Sequence, residues 1–109
     1  SDKVLQQCAD LLLGEHDFAS FCKVDTNVDH FRCTVECAQW QRNSAELVFD
    51  IRANRFLYGM VRAIVGTTVE VARGHRDFKQ FQEILAARDR SKAGSSAPAK
   101  GLFLEEIVY

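Results

Sequence analysis

What this 109-residue sequence lacks narrows the problem first. It has no internal repeat and no low-complexity tract, and its single proline, Pro98, leaves most of the chain free to form regular structure. No apolar run approaches the span of a bilayer, and the opening residues, SDKVLQQC, have no basic region leading into a greasy one. Neither a membrane helix nor a signal peptide is expected, which points to a cytoplasmic protein with no membrane partner. There is also no C-x-x-C. The four cysteines, Cys8, Cys22, Cys33 and Cys37, are therefore expected to be free and buried, since a reducing compartment disfavours disulfides and the spacing supplies no zinc set. A metal site built on His30, Cys33 and Cys37 remains the alternative, and it wants a fourth ligand.

What is present is the composition of one globular domain spanning residues 1–109, with 47% hydrophobic and 27% charged residues. The net charge is −1, but it is unevenly spread. Residues 1–50 hold four Lys or Arg against nine Asp or Glu, whereas residues 51–109 hold ten against six. A basic second half is the electrostatic pattern of a surface that meets a polyanion, although solvated surface charge explains the same numbers.

Taken in order, Val4, Leu5, Cys8, Ala9, Leu11, Leu12 and Leu13 make residues 2–13 an amphipathic helix, with Asp2 as its cap and Gly14 at its end. GEHDFASF then turns the chain, with Phe18 and Phe21 on one helical turn as core aromatics. His16 and Asp17 resemble an acid/base pair, but adjacent loop residues rarely aim at one target. VDTNVD reads as a polar turn. Residues 30–40 alternate as a strand, with Phe31, Cys33, Val35 and Cys37 on one face. QRNS reverses the chain, and residues 45–52 return with Leu47, Phe49 and Ile51 on one face, giving a β-hairpin.

The next stretch, RANRFLYGMVRAIVGTTVEVARG at 52–74, is apolar on more than one face and reads as a mostly buried helix over 56–72, capped by Asn54 and stopped by Gly74. Arg62 falls within it. A guanidinium is not stripped of water cheaply, so Arg62 either snorkels to solvent or meets a carboxylate or phosphate. A second amphipathic helix, capped by Asp77, covers 78–88. A basic loop, RDRSKAGSSAPAKG, and a strand over 101–109 complete the chain. The sum is an α+β domain, a small antiparallel sheet with helices packed on one face.

RFLYGMVRAIVGTTVEVARG resembles the signature helix of the tRNA pseudouridine synthase A family, whose pattern runs close to FL-x-x-MVR-x-IVGTL-x-EVG. LLLGEHDFASFCK at 11–23, VFDIRANRF at 48–56 and ILAARDRSKAGSSAPAKGLFLEEIVY at 84–109 resemble that family's flanking segments in the same order. The resemblance covers nearly the whole chain. It implies the C-terminal half of the pseudouridine synthase fold, in an enzyme that isomerises uridine in the anticodon stem-loop region of tRNA with one aspartate and no metal or organic cofactor.

By the same resemblance Arg62 is the active-site arginine that pairs with that aspartate, Gly101 and Leu102 line the base pocket, and the full-length enzyme is a homodimer. Arg55, Arg73, Arg76, Lys92 and Lys100 are RNA-backbone candidates from their charge alone. The family's G-R-T-D-A-G-V-H type segment, which carries the aspartate, and its R-Y-x-Y type strand do not occur in this sequence. The chain is therefore expected to need an N-terminal domain of the same enzyme and to be inactive without it. The rival reading is a non-catalytic RNA-binding or subunit-pairing module of the same fold.

Overall fold

The fold is described from a computed structural model, over residues 2–22, 30–44, 46–93 and 107–108. The elements run α1 (Asp2–Leu11), β1 (Gly14–Asp17), a single 3-10 turn (Ala19–Phe21), β2 (Arg32–Asn43), β3 (Glu46–Ala53), α2 (Met60–Ala72), α3 (Phe78–Ala87), a second 3-10 turn (Arg90–Lys92) and β4 (Ile107–Val108). β1, β2 and β3 form the expected antiparallel sheet, and β4 lies parallel to β3 in the order β1-β2-β3-β4. The expected turn at GEHD is instead the edge strand β1, pairing Gly14 with Val35 and Asp17 with Arg32. Nothing in GEHD favours a strand by itself; the free edge of β2 recruits it.

β2 departs from simple alternation. Val35 faces Ala53, yet Cys37 faces Arg52, so Glu36 is an extra residue in the ladder, a β-bulge. The bulge resets which side faces the core. Cys33 and Val35 are buried before it and Ala38 after it, so Cys37, expected inward with them, is only half-buried. The strand also runs further than QRNS allowed. Gln41, Arg42 and Asn43 all belong to β2, Asn43 pairs with Glu46, and the reversal is the two-residue link that begins at Ser44 with φ 58°. Across the hairpin Trp40 stacks on its partner Phe49, ring centroids 4.7 Å apart.

One core joins all three helices to the sheet. α1 contributes Leu5, Cys8, Ala9 and Leu12, a stripe at helical spacing, and the sheet contributes Cys33, Val35, Ala38, Ile51 and Ala53. Arg32, Asp50 and Arg52 on the opposite face are exposed, as a one-sided sheet requires. Phe18 and Phe21 are fully buried, as is Phe81 of α3, each adding about 2–3 kcal/mol of burial. Where β1 stops short, Gln6 of α1 covers the edge of β2: its Nε2 donates to the Ala38 carbonyl (3.3 Å) and its Oε1 accepts the Trp40 N–H (2.9 Å).

α2 is buried nearly all round, through Met60, Val61, Ala63, Ile64, Val65, Thr67, Thr68 and Val71. Its buried threonines satisfy their hydroxyls on the preceding turn, Thr67 to the Ala63 carbonyl (2.8 Å) and Thr68 to the Ile64 carbonyl (2.7 Å). Gly74, at φ 83°, closes the helix as expected. The Gly74 N–H reaches the Val71 carbonyl and the His75 N–H reaches the Glu70 carbonyl, which is a complete Schellman motif. Asp77 caps α3 in a reciprocal box with Gln80.

Candidate functional site

The site is set by where α2 begins. It starts at Met60, later than the hydrophobic pattern implies, and Asn54 is not its cap. Asn54 instead extends the β2/β3 pairing: its N–H donates to the Thr34 carbonyl and its Oδ1 accepts the Thr34 N–H. Residues 55–59 must then turn from sheet to helix. The Met60 N–H bonds the Leu57 carbonyl, and Gly59, at φ 71° and ψ 4°, takes the left-handed position that a type II turn demands. Gly59 is thus the N-cap residue. It makes no side-chain cap bond, and there is no acidic residue in the first turn.

Arg62 consequently lies in the first turn of α2 and is half-buried. A cation at the positive end of a helix is unfavourable by about 0.3–1 kcal/mol. The first turn itself holds no acidic residue.

The RNA-facing candidates fall into two groups. Arg55 is half-buried just before α2, and its Nη1 donates to the carbonyls of His30 (3.0 Å) and Arg32 (3.3 Å), so it braces the start of β2. Arg73 stands at the far end of the helix, about 16 Å from Arg62 along its axis, and Arg76 and Lys92 lie beyond the helix in sequence. Arg73 is the exposed C-cap of α2. Arg76 pairs with Glu70 (Nε to Oε2, 3.4 Å) and donates from Nη1 to the Lys92 carbonyl (3.3 Å), while the Lys92 side chain is exposed. Lys100, Gly101 and Leu102, with most of the expected final strand and the VDTNVD turn, lie outside the described residues.

The cysteines and His30 were the candidate metal set. All four are free, and among the described residues no three potential ligands come together. Cys33 is buried with Sγ 3.9 Å from the Met60 sulfur, whereas His30 is exposed. Burial pushes the Cys33 thiol up, partly offset by the Arg55 charge, and burial pushes Cys8 up to about 11. His16 and Asp17 serve local backbone: His16 Nε2 lies 2.8 Å from the Leu13 carbonyl and Asp17 accepts the Ala19 N–H. Both border a groove of about 270 Å³ that includes Arg88 and none of Arg55, Arg62, Arg73, Arg76 or Lys92.

Two features that matter were not found from sequence. One is the Thr34–Asn54 tie; the other is the need for glycine at 59. The GM step directly ahead of the buried run is the signal that marks the true helix start.

Residues 8–109 match the tRNA pseudouridine synthase family, and the chain belongs to it. It is 50% identical over 105 residues to the tRNA pseudouridine synthase A of Brevibacillus brevis, covering 96% of this chain and 43% of that protein. Against the protein of the same name from Halalkalibacterium halodurans the identity is 46% over 92% of this chain and 38% of the relative. For Parabacteroides distasonis it is 41% over 98% and 42%. The chain therefore spans about two fifths of the length of these curated relatives.

Among the described residues no helix is long and apolar enough to cross a membrane.

Proposed function

We propose that the chain is the C-terminal domain of a cytoplasmic tRNA pseudouridine synthase, acting on uridine in the anticodon stem-loop region and homodimeric when complete. The reaction breaks the bond from the ribose to the base nitrogen and rejoins the base through carbon, so the product is an isomer and no metal or organic cofactor is needed. An aspartate from the N-terminal domain attacks. Arg62 holds that carboxylate ionised, since an opposite charge within a few ångström lowers such a pKa by about 1–3 units, and a guanidinium grips with two N–H groups while staying charged itself. Gly101 and Leu102 wall the flipped base, and Arg55, Arg73, Arg76, Lys92 and Lys100 hold RNA phosphates.

The observation that carries this reading is the placement of Arg62: half-buried, in the first turn of a helix whose N-terminus has no acid and no side-chain cap. The experiment compares tRNA incubated with the 109-residue chain and with the complete enzyme. The chain is expected to form no pseudouridine, and Arg62→Ala in the complete enzyme to lose on the order of a hundredfold in turnover with an unchanged melting temperature. Near-normal turnover of that variant overturns the role given to Arg62, and pseudouridine formed by the chain alone overturns the need for a second domain.

The charge excess of residues 51–109 favours one other reading, a module that binds RNA or pairs subunits without catalysis. In that case tRNA binding by the complete protein weakens steeply with salt, while no substitution at Arg62 alters a chemical step.

A further inference from the structure

The turn that delivers the chain into α2 sorts three consecutive large side chains. Phe56 packs against the core and Leu57 is buried within it, whereas Tyr58 is 63% exposed. Among the described residues no other large apolar side chain reaches that exposure; Leu13, Leu47 and Val48 come next, at 40–43%. The backbone under Tyr58 is pinned on both sides. Ahead of it, Asn54 is tied to Thr34 by two hydrogen bonds, and Arg55 donates to the carbonyls of His30 and Arg32. Behind it, the Met60 N–H bonds the Leu57 carbonyl (3.1 Å) across the type II turn, and the Ala63 N–H returns to the Gly59 carbonyl (3.0 Å). Tyr58 therefore stands on a fixed corner with most of its surface in water.

That corner adjoins the arginine of the proposed reaction. With Gly59 as the N-cap of α2, Tyr58 is the residue just before the cap and Arg62 the third of the helix, so the two flank a single turn of chain. Residues 52–69 carry Arg52, Arg55 and Arg62 and no Asp or Glu. Cations interleaved with an exposed aromatic, and no carboxylate among them, suit a polyanion that carries flat rings between its charges, which is RNA with unpaired bases.

An enzyme that works on a base takes it out of its stack, and the neighbouring base then loses a partner on one face. A tyrosine held on a fixed corner replaces that partner at little entropic cost, since its ring turns about only two torsions. We propose that Tyr58 stacks on the nucleobase flanking the target uridine and so holds the opened RNA against the start of α2. This rests on the function proposed above, which supplies the RNA and its uridine.

The test uses the complete enzyme with Tyr58→Ala, Tyr58→Leu and Tyr58→Phe, and tRNA with or without an abasic nucleotide on either side of the modified uridine. Kd for tRNA, pseudouridine formation and melting temperature are measured. Tyr58→Phe is expected to bind like the wild type. Tyr58→Ala and Tyr58→Leu should bind about five- to a hundredfold more weakly at an unchanged melting temperature, the range that one base–aromatic stack carries. Removing the stacked base should cost the wild-type enzyme a similar factor and cost Tyr58→Ala nothing further, because both changes delete the same contact. Wild-type affinity in Tyr58→Ala overturns the proposal, and so does a Tyr58→Leu enzyme that binds as well as Tyr58→Phe, which marks a general apolar contact. A loss that comes with a lowered melting temperature and persists on the abasic RNA also overturns it, by making Tyr58 a contact within the protein. If the wild-type enzyme forms no pseudouridine while the three variants bind in the expected order, the functional reading falls and stacking on RNA stands.

Discussion

Thr34 and Asn54 exchange two hydrogen bonds across the end of the β2/β3 ladder, Thr34 N–H to Asn54 Oδ1 at 2.8 Å and Asn54 N–H to the Thr34 carbonyl at 3.0 Å. By holding residue 54 in the sheet, this pair keeps the chain from entering the helix until Met60, and so puts Arg62 in the first turn of α2 rather than deep within it.

Asn54→Ala removes the side-chain half of that exchange. Because the bond is exposed, the loss should be about 1 kcal/mol, read as a lower urea midpoint at unchanged m-value. No change in midpoint would mean that water replaces the amide fully.

Gly59→Ala forces a Cβ into the left-handed region at φ 71°. A cost of about 1–2 kcal/mol is expected, a fall of several degrees in melting temperature. An unchanged melting temperature would show that the turn relaxes without strain.

The Cys8 thiol, fully buried and pushed up to about 11 from 9.0, links stability to alkaline pH. Between these values the unfolded chain releases a proton that the folded chain retains, so stability is full below about pH 9 and declines as pH rises through 11, by roughly 2–3 kcal/mol for this group. Urea midpoints measured from pH 8 to 11 should fall, and Cys8→Ala should flatten part of that fall. The same burial predicts an order of thiol labelling at pH 8: half-buried Cys37 first, Cys8 and Cys33 only as the chain unfolds.

The long apolar run, the stripe on α1, the Asp77 cap and the Gly74 stop were legible because each depends on contacts a few residues apart. The misplaced features share a different cause. β1 exists because β2 offers an edge, Cys37 is turned by a bulge that two strands make together, and Asn54 prefers a sheet partner at residue 34 over the helix beginning beside it. Arg76, picked for its charge, is engaged by Glu70 and the Lys92 carbonyl, neither of which charge alone could select.

From its sequence alone the chain determined that it is an α+β member of the tRNA pseudouridine synthase family built on a buried helix with one arginine in it, since periodicity and motif are properties of neighbouring residues. Only the tertiary structure decided where that helix starts and which charges are held by carbonyls. Those depend on hydrogen-bond partners far apart along the chain, and such partners become neighbours only once the core has formed.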